Sequence, residues 1–256
     1  MKVVVAGCAG RMGSEVCRLI AEQGDMTLVG GIEANGHPAV GTKLGSGVVG
    51  TDLSAMIADA TTVVDFSTAE ATVASCRLAA QAGKGFITGV TGLKATQTNE
   101  LRDCAQRIPV VHAPNFSVGV SVLCALVAEA ARRLGPDYDV EVIETHHRMK
   151  KDAPSGTAVR LVDILKAGAG QATVVHGRQG VVGEKPRGQI GVSSIRTGGV
   201  VGEHTVVFGC AGERLELTHK AESRAAFATG VVAAVRFLKG RSSGFYTMED
   251  VLASPR

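Results

Sequence analysis

The chain has 256 residues, enough for one large domain or two modest ones, each with its own core. Hydrophobic residues make up 45% and charged residues 20%, the balance of an ordinary globular protein. A net charge of +3, from 27 basic and 24 acidic side chains, is too mild to imply nucleic acid or a membrane surface as partner. With 4% aromatics and no tryptophan, no aromatic platform for stacking bases is expected either.

The six cysteines, Cys8, Cys17, Cys76, Cys104, Cys124 and Cys210, form no C-x-x-C pair and lie mostly in apolar runs. They read as reduced, buried thiols, and the spacing of zinc ligands is missing, so no metal is expected. Met1 leads directly into the apolar KVVVAG, and no apolar run is long enough to span a bilayer. A cytoplasmic location is the expectation.

In chain order, KVVVAG predicts a strand buried on both faces, and RMGSEVCRLIAEQG a helix. Val16, Leu19, Ile20 and Gln23 share one face of that helix, and Gly24 is placed to close it. MTLVGGIE predicts a second strand. The glycine-rich GHPAVGTKLGSGVVG that follows predicts a flexible loop. TTVVDFS, GFITGVT and PVVHAPN predict three more strands, separated by the helical AEATVASCRLAAQAG and ATQTNELRDCAQR. Repeated strand–helix units of this kind build a doubly wound, Rossmann-like α/β parallel sheet.

The pattern then changes. VGVSVLCALVAEAARRLG predicts a long apolar helix. DVEVIETHH, GVSSIRTG, EHTVVFG and RLELTHKAES predict strands, the last two joined by a tight connection at CAGER. TAVRLVDILKAG is the one helix among them, with Ala158, Leu161, Val162 and Leu165 inward. This is a second, α+β domain with an open mixed sheet. Helix returns at 224–240. The predicted division is a dinucleotide-binding domain at 1–116, a substrate-binding and oligomerisation domain at 117–226, and a tail at 227–256 packing back onto the first.

Gly7, Gly10 and Gly13 stand where the first strand turns into the first helix. Their G-x-x-G-x-x-G spacing differs from the commoner G-x-G-x-x-G, but the physics is shared. Backbone N–H groups at a helix start attract a pyrophosphate, and glycines allow close approach. Arg11 can add a charged contact. Glu33 lies twenty residues beyond Gly13, at the end of the second strand, where a carboxylate accepts ribose hydroxyls and repels a 2′-phosphate. Ala34 follows it in place of a welcoming arginine, so NADH is expected as preferred cofactor, with NADPH possible. The strand ends DFS (65–67), GVTG (89–92) and APNF (113–116) face the same sheet edge.

The run ETHHRMKKDAPSGTA, residues 144–158, crowds His146, His147, Arg148, Lys150 and Lys151 just before a predicted helix. Ser155 or Thr157 can cap that helix. The backbone N–H groups of Ser155, Gly156 and Thr157 then form a seat for one or two carboxylates. His146 and Lys150 can also carry protons, since histidine titrates near neutrality and crowded cations favour a neutral lysine. An acceptor that gains hydride must also gain a proton, and a positioned acid supplies it.

The stretch HHRMKKDAPSGTA, with GCAGRMG, APNFSVGV, GEHTVVF and GERLELTHKAESR, resembles the 4-hydroxy-tetrahydrodipicolinate reductase family, also called dihydrodipicolinate reductases, nearly end to end. The resemblance implies hydride transfer from NAD(P)H to C4 of the dipicolinate ring system, with loss of water, in the diaminopimelate route to lysine. It implies His146 as proton donor or acceptor and Lys150 as proton donor, with His147, Gly156 and Thr157 on the substrate carboxylates. It further implies a cofactor lined by Gly7, Cys8, Ala9, Gly10, Arg11, Met12, Glu33, Gly89, Val90, Thr91, Ala113, Pro114, Asn115 and Phe116. A homotetramer joined through the sheet of the second domain is implied as well. Three positions depart from the family pattern: Met149 where many members have histidine, Val90 where threonine is usual, and Ala34 where many carry arginine. Two rival readings are a related amino-acid dehydrogenase or imine reductase, which has no need of the full H-H-R-x-K-x-D-A-P-S-G-T run, and a non-catalytic NADH-binding sensor, which would carry a DNA-reading helix or a strongly basic face.

Overall fold

Three consecutive valines, Val3 to Val5, are fully buried in β1 (Lys2–Ala6), so this strand is covered on both faces. The computed structural model describes residues 1–169 and 173–254 of the chain. From β1 the chain runs through α1 (Gly13–Ala21) to β2 (Thr27–Ile32). Then come a short antiparallel pair, β3 (Lys43–Leu44) and β4 (Gly47–Gly50), and two 3-10 turns at Leu53–Ala55 and Ile57–Asp59. Regular alternation resumes with β5 (Thr62–Asp65), α2 (Ala69–Gln81), β6 (Gly85–Thr88), α3 (Ala95–Ala105) and β7 (Pro109–His112).

The chain separates into two units, residues Met1–Val118 with the segment from Arg224 onward, and residues Gly119–Ser223. The first unit is built on an eight-stranded sheet ordered β13-β7-β6-β5-β1-β2-β4-β3, in which β13 is Gly244–Tyr246. All its pairings are parallel except the β3–β4 hairpin. The order reverses at β1, whose neighbours are β2 and β5. In such sheets the crevice for a ligand opens beyond the carboxyl ends of the strands at this reversal. The terminal segment supplies α6 (Ala225–Leu238), β13 and α7 (Met248–Ala253). Ala228, Val231 and Val235 of α6 join Val16 and Ile20 of α1 in one apolar cluster.

Two sequence expectations fail here. Residues 36–50 are not simply a loop: β4 pairs with β2, and Val49 is buried. The glycines serve close approach, since a Cβ on Gly45 would stand 2.1 Å from the Leu28 carbonyl oxygen and one on Gly47 2.1 Å from that of Val29. Gly24 does not close α1. It lies outside the left-handed region, and the Leu19 carbonyl is instead met by the Glu22 N–H and the Gln23 side chain.

In the second unit, α4 (Val118–Leu134) and α5 (Gly156–Ala169) bury apolar stripes against a mixed five-stranded sheet. Its order is β12-β11-β8-β10-β9, from β8 (Asp139–His146), β9 (Thr173–His176), β10 (Gln189–Arg196), β11 (Gly202–Gly209) and β12 (Arg214–Ala221). β8 is central, antiparallel to β11 and parallel to β10. Ala158, Leu161, Val162 and Leu165 of α5 face the core together with Val142, Val206 and Phe208. The fold class is therefore the predicted one, a Rossmann-like parallel sheet with a second mixed-sheet domain. Five of the six cysteines are buried, whereas Cys210, expected to be buried, is exposed in the β11–β12 turn.

Candidate active site

The turn after β1 is held from several sides. Gly7 has φ +71°, and a Cβ there would lie 2.6 Å from the Phe66 carbonyl oxygen. Its N–H donates to the Ile32 carbonyl at 2.8 Å. A Cβ on Gly13 would stand 1.9 Å from the Gly7 carbonyl oxygen, so only glycine lets α1 start this close to the turn. The Glu33 carboxylate accepts the Ala9 N–H at 2.7 Å, and the Glu33 N–H donates to the Gly50 carbonyl of β4 at 2.9 Å. The β3–β4 segment thus fixes the position of Glu33.

A cleft of about 800 Å³ opens at this edge, with Gly7, Ala9, Gly10 and Glu33 on its wall. Cys8 lies buried beneath, its thiol pushed up to about 11, by burial first and then by Glu33. Arg11 is exposed, and Met12 precedes α1 without lining the cleft. The cleft wall also includes Thr51, Asp52, Phe66, Ser67, Thr68 and Ser75. Of these, Thr51 and Asp52 carry no signal in the sequence, since they follow a glycine-rich segment whose composition predicts only a loop. Phe66 and Ser67 lay inside the noted DFS strand end. Fully buried Asp65 shapes that end, its Oδ1 accepting the Ser67 N–H at 2.8 Å and the Ser67 hydroxyl at 2.5 Å. Burial holds its carboxyl above the usual range despite these bonds.

The other predicted cofactor positions lie at the ends of β6 and β7, outside that cleft. A Cβ on Gly89 would meet the Phe66 ring at 2.2 Å, and the buried Phe116 ring packs edge-on to Phe66 at 6.0 Å. Val90 and Ala113 are buried, while Thr91 and Pro114 are exposed. Asn115 accepts the Ser117 N–H through its side-chain oxygen at 2.8 Å.

In the second unit, the two-residue period of β8 places Val140, Val142, Glu144 and His146 on its buried face. Glu144 is fully buried and heavily bonded. Arg196 donates to both its oxygens at 2.8 Å, the Ser155 N–H donates to Oε1 at 3.2 Å, and His146 Nδ1 stands 2.5 Å from Oε2. Burial works against ionisation here, but the hydrogen bonds from Arg196 and His146 outweigh it and hold the carboxyl at about 2. His146 itself is pushed below its ordinary range by burial, and Lys150 and Arg196 add to this while Glu144 opposes it. Burial thus favours the neutral form of the imidazole.

Lys150, one-fifth exposed, pairs with Asp152 at 2.9 Å. His147 is half-buried. Arg148, Lys151 and Met149 are exposed, Met149 at 75%, so the basic run divides into an inward and an outward set. Ser155 takes the cap: its Oγ accepts the Ala158 N–H at 3.2 Å and lies 2.9 Å from His204 Nε2. Thr157, the alternative cap, stands one residue inside α5, which begins at Gly156. The expected seat for carboxylates also needs revision, because the Ser155 N–H is already bonded to Glu144 and Ser155 is 2% exposed. Gly156 and Thr157 are the first two residues of the helix.

Glu144, Arg196 and His204 were not singled out from the sequence. For Glu144 a signal existed, since a carboxylate in the buried phase of a strand demands a partner. His204 likewise occupies the buried phase of β11. Arg196 carried no such sign, because its partner is set only by the β8–β10 pairing.

Comparison with known proteins agrees over the whole length. Residues 1–116 match the family model "Dihydrodipicolinate reductase, N-terminus", and residues 119–252 match "Dihydrodipicolinate reductase, C-terminus". The 4-hydroxy-tetrahydrodipicolinate reductase of Myxococcus xanthus is 43% identical, with 100% of this chain and 99% of that protein covered. That of Syntrophus aciditrophicus is 41% identical, with 98% of each covered. Among solved structures, a dipicolinate-bound dihydrodipicolinate reductase from Paenisporosarcina sp. TG-14 superposes with a TM-score of 0.81 at 22% identity, over 98% of each chain. Two family models in register and relatives above 40% identity over almost the full chain leave one conclusion: the chain belongs to the dihydrodipicolinate reductase family.

Proposed function

We propose that this chain is a 4-hydroxy-tetrahydrodipicolinate reductase, using NAD(P)H to reduce its cyclic dicarboxylate substrate to tetrahydrodipicolinate in lysine biosynthesis. The observation that carries the reading is the triad of Arg196, Glu144 and His146 beside Lys150 and the start of α5. Through Glu144 it joins a buried histidine, which would transfer the proton, to the first turn of a helix, where carboxylates are favoured.

The first unit is assigned to the cofactor. Its turn suits a dinucleotide, since side chains at Gly7 or Gly13 would collide with backbone and glycine keeps the N–H groups accessible. Gly7, Ala9, Gly10 and Arg11 would hold the pyrophosphate and Glu33 the adenosine ribose, with Gly89 to Thr91 and Ala113 to Phe116 toward the nicotinamide. When bound, the nicotinamide supplies a hydride. Among the residues lining the cleft there is no lysine or arginine, and Glu33 presents a carboxylate, which supports NADH as the preferred form.

The second unit is assigned to the substrate. The first-turn backbone of α5 at Gly156 and Thr157, with His147, would seat its carboxylates, and Ser155 would act through the helix start that it caps. Lys150, paired with Asp152 at 2.9 Å, would deliver the proton that must accompany hydride. His146 would take up or return a proton through the same site. A cytoplasmic location and a homotetramer belong to the same proposal. Ile143, Val207 and Ile195 on the sheet face opposite the core, with Ile195 46% exposed, support assembly through that sheet.

Steady-state oxidation of NADH with enzymatically generated substrate tests the reading. Turnover by the wild type, with losses of about 100-fold or more in His146→Ala and Lys150→Ala at unchanged NADH affinity, is expected. No turnover despite tight NADH binding would refute it in favour of a sensor.

A further inference from the structure

A buried carboxylate already met by two arms of a guanidinium needs no further cation for its neutralisation. Glu144 nevertheless makes its shortest contact to His146. We propose that Glu144, clamped by Arg196, is a positioning residue that fixes His146 in one tautomer and keeps its outer nitrogen ready to exchange a proton. The inference rests on the proposed proton-transfer role of His146, and deepens it.

An ionised carboxylate can only accept hydrogen bonds, so at the 2.5 Å contact the proton sits on His146 Nδ1. Nε2 then carries the lone pair of the neutral ring. It faces Gly202 of β11, where a Cβ would stand 3.1 Å away, so glycine keeps the space beside Nε2 open. Strand register builds this arrangement. Glu144 lies between Ser194 of β10 and His204 of β11, and Arg196 lies opposite His146.

The charged and titratable groups facing His146 come from each neighbouring element. Glu144 shares its strand, Arg196 comes from β10, Lys150 and its partner Asp152 come from the following loop, and His204 comes from β11 with His219 of β12 behind it. The His204 ring packs edge-on at 5.2 Å, and burial followed by the neighbouring His146 holds it down at about 4, so it adds no charge at neutral pH. Lys150 and Arg196 both oppose protonation of His146, and Glu144 alone favours it. Arg196 also donates to the Asp152 carbonyl at 2.7 Å, and the Asp152 carboxylate holds Lys150. One guanidinium therefore ties together the supports of both proposed proton carriers.

Ring 15N NMR of histidine in the full-length protein, with pH profiles of turnover, tests this. The wild type is expected to show His146 neutral with the proton on Nδ1. In Glu144→Gln the His146 midpoint is expected to fall by about one pH unit or more, with the matching limb of the kcat profile moving the same way. Turnover should fall about 100-fold at unchanged NADH affinity, and Glu144→Asp should restore most of the limb position. A wild-type His146 protonated on Nε2 overturns the inference even if no variant folds. An unmoved midpoint in Glu144→Gln overturns it also. A shifted midpoint with wild-type turnover would instead sink the catalytic assignment of His146 and leave the positioning intact.

Discussion

Gly13→Ala offers the sharpest test of how the first unit holds a cofactor. The new Cβ would stand 1.9 Å from the Gly7 carbonyl oxygen, well over 1 Å inside an ordinary contact by the rough measure of atomic sizes. Gly7 has nowhere to retreat. Its N–H is bonded to Ile32, its own Cα side rests on the Phe66 backbone, and its φ of +71° already belongs to glycine. Its carbonyl also accepts the Gly10 N–H at 3.1 Å. Overpacking of this kind costs about 1–3 kcal/mol. Losing the Gly10 bond adds about 1 kcal/mol. The sum, about 2–4 kcal/mol, should appear in urea unfolding. NADH affinity, read by fluorescence titration, should weaken by about tenfold or more as the turn N–H groups are displaced. Two controls calibrate the result. Gly10→Ala puts a Cβ 3.2 Å from the same oxygen and asks for only a small shift, whereas Gly24→Ala meets nothing within 4 Å. If Gly13→Ala matched Gly24→Ala in stability and in NADH affinity, the close-approach argument would be wrong.

Three further outcomes are expected. Glu33→Ala should weaken NADH by about 1–3 kcal/mol and NADPH less, in isothermal titration of both cofactors; equal losses would remove the ribose-carboxylate pairing. Glu144 titrates near 2 rather than its ordinary 4.5, so its contribution is intact above about pH 4.5 and is lost as pH falls toward 2. At ~1.4 kcal/mol per pH unit this is about 3 kcal/mol, visible as a steeper acid loss of unfolding free energy in the wild type than in Glu144→Gln. Gly202→Ala should lower turnover while NADH affinity stays at wild-type level, because its Cβ would press on His146 Nε2 in the second unit. Wild-type kinetics there would show that this nitrogen needs no room.

Much of the architecture was legible because it rests on local periodicity. The valines of β1 and the alternating strands and helices up to His112 follow from hydrophobic spacing, which reports burial directly. The 36–50 segment was not legible. Glycine marks both a pliable chain and a backbone packed tightly on another, and only the second strand running alongside reveals which applies. The short β9 and β13 fell outside the reading for a related reason, since each is an edge strand defined by its neighbour.

At the site, the residue types and their order came from the sequence alone: the glycine turn, the acid at Glu33, and the histidine–lysine run before a helix. What the tertiary structure decided is which of those groups are already engaged. It turned the Ser155 N–H toward Glu144, sent Arg148 and Lys151 outward, and brought Arg196 across from β10 to a carboxylate 52 residues earlier. Spacing along a chain can announce a helix start or a strand face, because those are set within a few residues. Hydrogen-bond partners across a sheet depend on strand register, and register emerges only when distant segments bury their apolar faces together.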